Sequence, residues 1–123
     1  MILLRHLLTE NDRAYKGMSV SGSPLITLVG DRRAFKGMAV SGTPLYTVAG
    51  NKLFKGVAVS GMPLATLVGD LLFKGNAVSG TPMARLANGR SYKGTAVSGS
   101  PLTTVPSGNV TTLFIATYHA LVE

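Results

Sequence analysis

One short phrase, an aromatic residue followed by Lys and Gly, recurs five times along the chain. Its lysines are separated by 20, 19, 19 and 19 residues, and a second phrase, Val-Ser-Gly-x-Pro-Leu, recurs in step, with methionine for leucine in the fourth copy. A fixed period of this length is the signature of a fold built from repeated supersecondary units. The repeat lysines are Lys16, Lys36, Lys55, Lys74 and Lys93, and the repeat prolines are Pro24, Pro44, Pro63, Pro82 and Pro101.

Each unit is predicted to contain two short strands and two turns. The one-residue difference between periods falls where Gly30-Asp31 in one unit corresponds to Gly50-Asn51 in the next. A place that tolerates such a change is typical of an exposed turn, and Gly-Asp and Gly-Asn supply the positive φ that tight turns need. The segments between turns are rich in strand formers, and frequent Gly and Pro disfavour helix. Because proline cannot donate to a ladder, the repeat prolines are expected to begin strands.

A unit of this size cannot bury its own apolar side chains, so it must share its interior with identical units. Stacking along one chain gives a solenoid, and winding several chains together gives a fibre. Small residues such as Gly37, Ala39 and Ser41 on one strand face favour close approach of another backbone. The predicted fold is therefore all-β, with tandem strand-turn-strand repeats in an elongated, trimeric β-fibre and a single-chain β-solenoid as the alternative. The predicted divisions are residues 1–13 as an N-terminal anchor, 14–105 as a five-repeat shaft and 106–123 as a closing strand.

The phrase from Gly42 to Leu53 resembles one shaft unit of viral attachment fibres, as in adenovirus fibre and the reovirus attachment protein. The similarity runs from Tyr15 to about Val105, although the aromatic-Lys-Gly-x-Ala-Val segment makes each unit of this chain longer. Bacteriophage fibres and spikes with similar repeats fit equally well. The resemblance implies a triple β-spiral of three intertwined chains and a structural role in a virion.

Residues suited to catalysis or metal binding are few. There is no cysteine, His6 and His119 lie near opposite ends, and the five acids form no paired constellation. We therefore expect no enzymatic activity, no cofactor and no metal site within one chain. A trimer could still gather three copies of either histidine around an ion.

The five repeat lysines are the one periodic charge in a chain of net charge +7. If the units stack in register, these lysines form a stripe that could contact acidic glycans, lipid headgroups or another anionic surface. The competing interpretation, which we favour from the sequence, is that each lysine protects an exposed strand edge from pairing with other chains. The neighbouring aromatic residues are expected to form a packing ladder, and no nucleic-acid partner is expected.

The predicted function is a structural virion fibre or spike component that acts as a rigid spacer or attachment element through homo-oligomeric assembly. Residues 1–13, with Leu3, Leu4 and Leu7 at helix-compatible spacing, would attach it to other virion structural proteins. No signal peptide or transmembrane segment is recognisable, so we expect synthesis in the host cytoplasm and assembly into the virion. The alternatives are a monomeric β-solenoid that binds an anionic partner and a subunit of a bacterial surface filament.

Overall fold

A computed structural model describes residues 11–30 and 32–122. Of the ten strands, the first has six residues, the last has two and the other eight have four each, and one helix follows the last strand. The elements are β1 (Asn11–Lys16), β2 (Ile26–Val29), β3 (Arg33–Lys36), β4 (Tyr46–Ala49), β5 (Lys52–Lys55), β6 (Ala65–Val68), β7 (Leu71–Lys74), β8 (Ala84–Ala87), β9 (Arg90–Lys93), β10 (Thr103–Thr104) and α1 (Val110–Val122).

Short and long connections alternate along the chain. Turns of two or three residues join β2 to β3, β4 to β5, β6 to β7 and β8 to β9, and loops of nine residues form the other strand connections. In the Asn88-Gly89 turn both residues have positive φ, 54° and 79°, the conformation that a two-residue hairpin turn requires. Because successive strands are antiparallel, all the tight turns lie at one end of the sheet, the turn end, and all the long loops lie at the other, the loop end.

The sheet closes on itself, because β1 pairs with both β2 and β10. Thr27 Oγ1 donates to the Gly37 carbonyl oxygen at 2.7 Å inside the array, and Thr104 Oγ1 makes the same bond to Gly17 across the closure, also at 2.7 Å. The predicted elongated fibre and its solenoid alternative were therefore wrong: the fold is a closed ten-stranded antiparallel barrel. Closure removes the two edges that an open array would leave unpaired.

Helix α1 lies inside this barrel. Its six consecutive residues Thr112–Thr117 are buried, which covers more than one full turn and so every side of the helix. Ten strands about 4.8 Å apart and tilted by about 40° give a radius of about 10 Å. That radius is close to the 8–10 Å at which helices pack against their neighbours. Five repeats thus form a barrel of the size that holds one helix.

The prediction of a closing strand in residues 106–123 was wrong, because most of this segment forms α1. A strand at the centre of a closed barrel would have no ladder partner, whereas a helix satisfies its own backbone groups. The Asn109 side chain caps the helix by accepting hydrogen bonds from the Thr111 and Thr112 amides at 2.9 and 3.2 Å. Tertiary context therefore overrides the strand preference of Thr, Phe and Ile here. Of the predicted anchor, residues 1–10 lie outside the described residues, and Asn11–Arg13 belong to β1.

Hydrogen bonds fix the direction and rotation of α1 in the barrel. At the turn end the Asp12 carboxylate accepts from Ser107 Oγ at 2.8 Å and from Thr112 Oγ1 at 2.6 Å. Deeper inside, Thr103 Oγ1 lies 2.7 Å from Ser91 Oγ and 3.4 Å from Thr117 Oγ1. The helix therefore begins at the turn end and directs its last turn towards the loop end.

The long loops form a third layer outside the barrel. Outward-facing cross-strand pairs such as Thr47 and Phe54 are buried, although they point away from the helix. Val20, in the first loop, lines a crevice with Asp12 and Pro106 of the turn end, so this loop runs down the outer wall. The aromatic residues of the repeat are thus held between the barrel wall and the loops.

Candidate functional site

The five repeat lysines form a ring at the loop end. Each is the last residue of an odd-numbered strand, β1, β3, β5, β7 or β9, and each is exposed. Strand alternation determines their direction, because buried Ala34 faces the helix, Phe35 faces outward and Lys36 returns to the inner side. We call this opening, with its lysines at the rim, the mouth of the barrel.

The last residues of α1 occupy the centre of the mouth. Tyr118 and Leu121 pack against the core, and the Tyr46 hydroxyl lies 2.9 Å from His119 Nδ1. Tyr46 also meets Tyr118 edge to face, with ring centroids 5.9 Å apart. Around the helix end lies a ring of half-buried apolar side chains, each following a repeat proline: Leu25, Leu45, Leu64, Met83 and Leu102.

The charged side chains described at the mouth are positive. The nine-residue loops contain no charged residue, and the acids of the described chain, Asp12 and Asp70, lie at the turn end. The ion pair found in residues 11–30 and 32–122 joins Arg85 to Asp70 at 3.5 Å and involves no ring lysine. The carboxyl end of α1 carries about half a negative charge, far less than the five ammonium groups around it. As far as residues 11–30 and 32–122 are concerned, the mouth is therefore strongly positive.

Three grooves separate the helix end from the barrel rim, with volumes of about 400, 270 and 490 Å³. Each has at least one ring lysine at its edge and apolar side chains on its walls. The first is lined by Lys16, Leu25, Leu102 and His119, the second by Leu45, Tyr46, Lys55 and Leu64, and the third by Lys74, Pro82, Met83, Lys93, Leu121 and Val122.

No family model, curated protein or solved structure matches this chain. The resemblance to viral fibre shafts thus stays a prediction, and the function is argued from the mouth itself. Among the described residues, no helix combines the length and apolar character that crossing a bilayer requires.

The structure brings the ten repeat positions to one end of the molecule. The five prolines are buried, and each lies two residues ahead of a strand, for example Pro44 before β4 at Tyr46. Backbone pairing begins directly after the proline, since the Leu45 amide donates to the Ala34 carbonyl oxygen at 2.7 Å. The prolines therefore lie where the chain returns from each long loop to the mouth, and the lysines form the rim of the mouth.

The residues considered for catalysis are not brought together where they are described. Asp12 holds the helix start, Asp70 is at the turn end and His119 is at the mouth. His6, Glu10, Asp31 and Glu123 lie outside the described residues. Residues 11–30 and 32–122 contain no cluster of three or more metal-ligating side chains.

Sequence reasoning missed the apolar floor of the mouth, above all Tyr118, Leu121 and Val122. One signal for it was present. Residues 109–123 contain neither Gly nor Pro, in contrast to every repeat, and they begin with Asn109, a favoured N-cap residue.

Proposed function

We propose that this protein is a non-catalytic binding module that holds an anionic partner at the mouth of the barrel. The supporting observation is the convergence of five lysines, one from each repeat, around one opening. Phosphate, sulfate and carboxylate groups are the chemistry that such a ring recognises, because exposed ammonium groups line the rim on every side of the helix end.

The edge-protection interpretation of the lysines loses its basis in the closed barrel. Lysine protects a strand edge from pairing with other chains, and here every strand has two neighbours. The negative end of the α1 dipole can neutralise only a small part of the charge of the five lysines, since that end carries about half an elementary charge. Since no acid of the described residues lies at the mouth, an external anionic group is the partner that a ring of this size fits.

Neutralising the ring is expected to weaken anion binding far more than neutralising the turn end. We compare Lys36→Gln/Lys55→Gln/Lys74→Gln with Arg32→Gln/Arg33→Gln/Lys52→Gln, which removes the same three charges at the opposite end. At up to about 1 kcal/mol per exposed ion contact, the ring variant should lose about tenfold or more in affinity. The measurement is titration with a heparin-derived oligosaccharide at two salt concentrations, since screening should weaken the wild-type complex.

Equal losses in the two triple variants would contradict the proposal, because binding would then depend on net charge alone. Thermal unfolding of both variants provides the folding control, and these side chains, exposed except for the half-buried Lys52, should change stability by no more than about 0.5 kcal/mol each.

A structural role in a homo-oligomeric assembly is the second candidate, and the exposed outer loops favour it. Their five equivalent valines are 45–59% exposed, and they repeat around the circumference. An assembly would use this outer belt, since the chain's own helix fills the barrel. The predicted role in a virion belongs to this second candidate and remains a prediction. The belt valines are Val20, Val40, Val59, Val78 and Val97.

Light scattering of the purified chain tests the second candidate. We expect an oligomer that Val40→Ser/Val59→Ser dissociates, because loss of apolar contact area weakens an interface built on those loops. A wild-type monomer at all concentrations would count against this role and would leave the binding module unaffected.

A further inference from the structure

The largest groove of the mouth lies where the repeat carries its smallest inward side chains. The first residues of the strands that follow the long loops are Ile26, Tyr46, Ala65, Ala84 and Thr103. The groove beside Tyr46 measures about 270 Å³, whereas the groove next to β8, which begins at Ala84, measures about 490 Å³. Ala84, which follows Met83 of the groove wall, has a much smaller side chain than Tyr46, which lines the smaller groove, and this difference gives the mouth a preferred side for a ligand.

This groove combines an apolar wall with a cationic rim. Met83 and Pro82 form one wall and Leu121 and Val122 the other, while Lys74 and Lys93 stand at its edge on β7 and β9. Its volume falls within the usual range for small-molecule sites. Methionine, flexible and polarizable, adapts to a chain of variable shape. Both lysines are exposed, and neither pairs with a carboxylate within the described residues.

From this arrangement we infer that the groove binds a single-chain anionic amphiphile, with a phosphate or carboxylate head between Lys74 and Lys93 and an alkyl tail along Met83 and Leu121. The inference rests on the proposed function and names the class of its ligand. A polyanion without an apolar part would contact the lysines but would leave the apolar groove wall exposed to water. A neutral amphiphile would use the wall and leave both ammonium groups without a counter-charge.

Chain length and head charge are separate variables in the test. Butyl phosphate, octyl phosphate and uncharged octyl glucoside are titrated below their micelle concentrations, and binding is followed by the NMR signal of the Met83 methyl group. Full burial of one methylene is worth about fourfold in affinity. Octyl phosphate is therefore expected to bind more than tenfold tighter than butyl phosphate even with partial burial, and also more than tenfold tighter than octyl glucoside.

Matched variants locate the site. Lys74→Gln/Lys93→Gln should weaken octyl phosphate binding about tenfold, whereas Arg32→Gln/Arg33→Gln removes two charges at the turn end, away from this groove, and should change it less than threefold. Val122→Trp is expected to fill the groove and reduce octyl phosphate binding about tenfold, with butyl phosphate affected less. Val122 is half exposed, so this change leaves the core intact.

The failures of this inference and of the proposed function are distinguishable. If phosphate binding depends on the ring lysines but not on the length of the alkyl chain, the inference of an amphiphile is overturned. The proposed anion-binding function is then retained. Binding to vesicles containing phosphatidylserine, without binding of monomeric octyl phosphate, overturns it in favour of a membrane surface. Equal losses in the two double variants, together with equal heparin losses in the two triple variants, overturn both.

Discussion

A chain lacking Gly56–Lys74 is expected not to form a stable barrel, although every remaining hairpin keeps its own sequence. The deletion removes β6, β7 and one long loop, and it joins Lys55 to Gly75, so the aromatic-Lys-Gly phrase is preserved. Eight strands would give a radius of about 8 Å, about 2 Å less than ten strands give, so the large side chains that now fill the space around α1, such as the fully buried Phe114 and Ile115, would be overpacked. Circular dichroism and thermal unfolding should show loss of the cooperative transition.

The control for this deletion changes the same segment but keeps ten strands. Replacing Gly56–Leu64 with the sequence of Gly37–Leu45 alters two exposed residues, Val57→Met and Met62→Thr. It should change stability by about 0.5 kcal/mol or less. An open array of repeats would tolerate the deletion with the loss of one unit's share of the stability. Near-native stability of the deletion variant would therefore show that the fold does not depend on a closed barrel around a helix.

Closure of the barrel has a sequence signal that becomes clear only with the structure. The array begins with Ala14-Tyr15-Lys16, which corresponds to the second strand of a unit, and it ends with Thr103-Thr104, which corresponds to the first. The two ends are halves of one hairpin, and Tyr15 pairs with Thr104 as Phe35 pairs with Thr27. Local patterns predict the tight turn of each repeat and the strand after each repeat proline. The prediction that Gly37, Ala39 and Ser41 lie on a strand was wrong, because these residues belong to a nine-residue loop. Local patterns also do not reveal whether ends so far apart in sequence meet.

Helix α1 could not be predicted from intrinsic preference. The run from Thr111 to Tyr118 is rich in β-branched and aromatic residues, which favour strands on a half-buried sheet. Inside a barrel the surroundings are apolar on every side, so a segment with no neighbouring strand must form its backbone hydrogen bonds within itself. The Asn109 cap and the absence of Gly and Pro after it agree with a helix once that environment is known.

The lysine ring was predictable only in part. The repeat predicts that the five lysines occupy equivalent positions, and the structure places them at strand ends around one opening. The apolar floor depends on the direction of α1, which is fixed by long-range hydrogen bonds such as that from Thr112 to Asp12. Contacts of this kind leave no periodic pattern in the sequence, so the groove walls could not be inferred.

Ile115→Asp is expected to abolish the folded barrel at neutral pH. Ile115 is fully buried at the middle of α1. Loss of its packing costs about 2–5 kcal/mol, and burial of a carboxylate costs several more. The sum approaches the ~5–15 kcal/mol stability of a typical small domain. The near-ultraviolet circular dichroism of the tyrosines and the dispersion of amide NMR signals should collapse together.

The same substitution at the other end of the helix provides the control. Val122→Asp adds a carboxylate at the mouth, where the side chain is half exposed and five lysines are near, so stability should change by less than about 1 kcal/mol. Phe114→Ala supplies an intermediate case, because it creates a cavity without a charge and should cost about 3–5 kcal/mol in urea unfolding. A helix packed on the outside of the barrel would instead tolerate Ile115→Asp about as well as Val122→Asp. Equal denaturant midpoints for those two variants would therefore contradict the enclosed helix, and with it the apolar floor of the mouth.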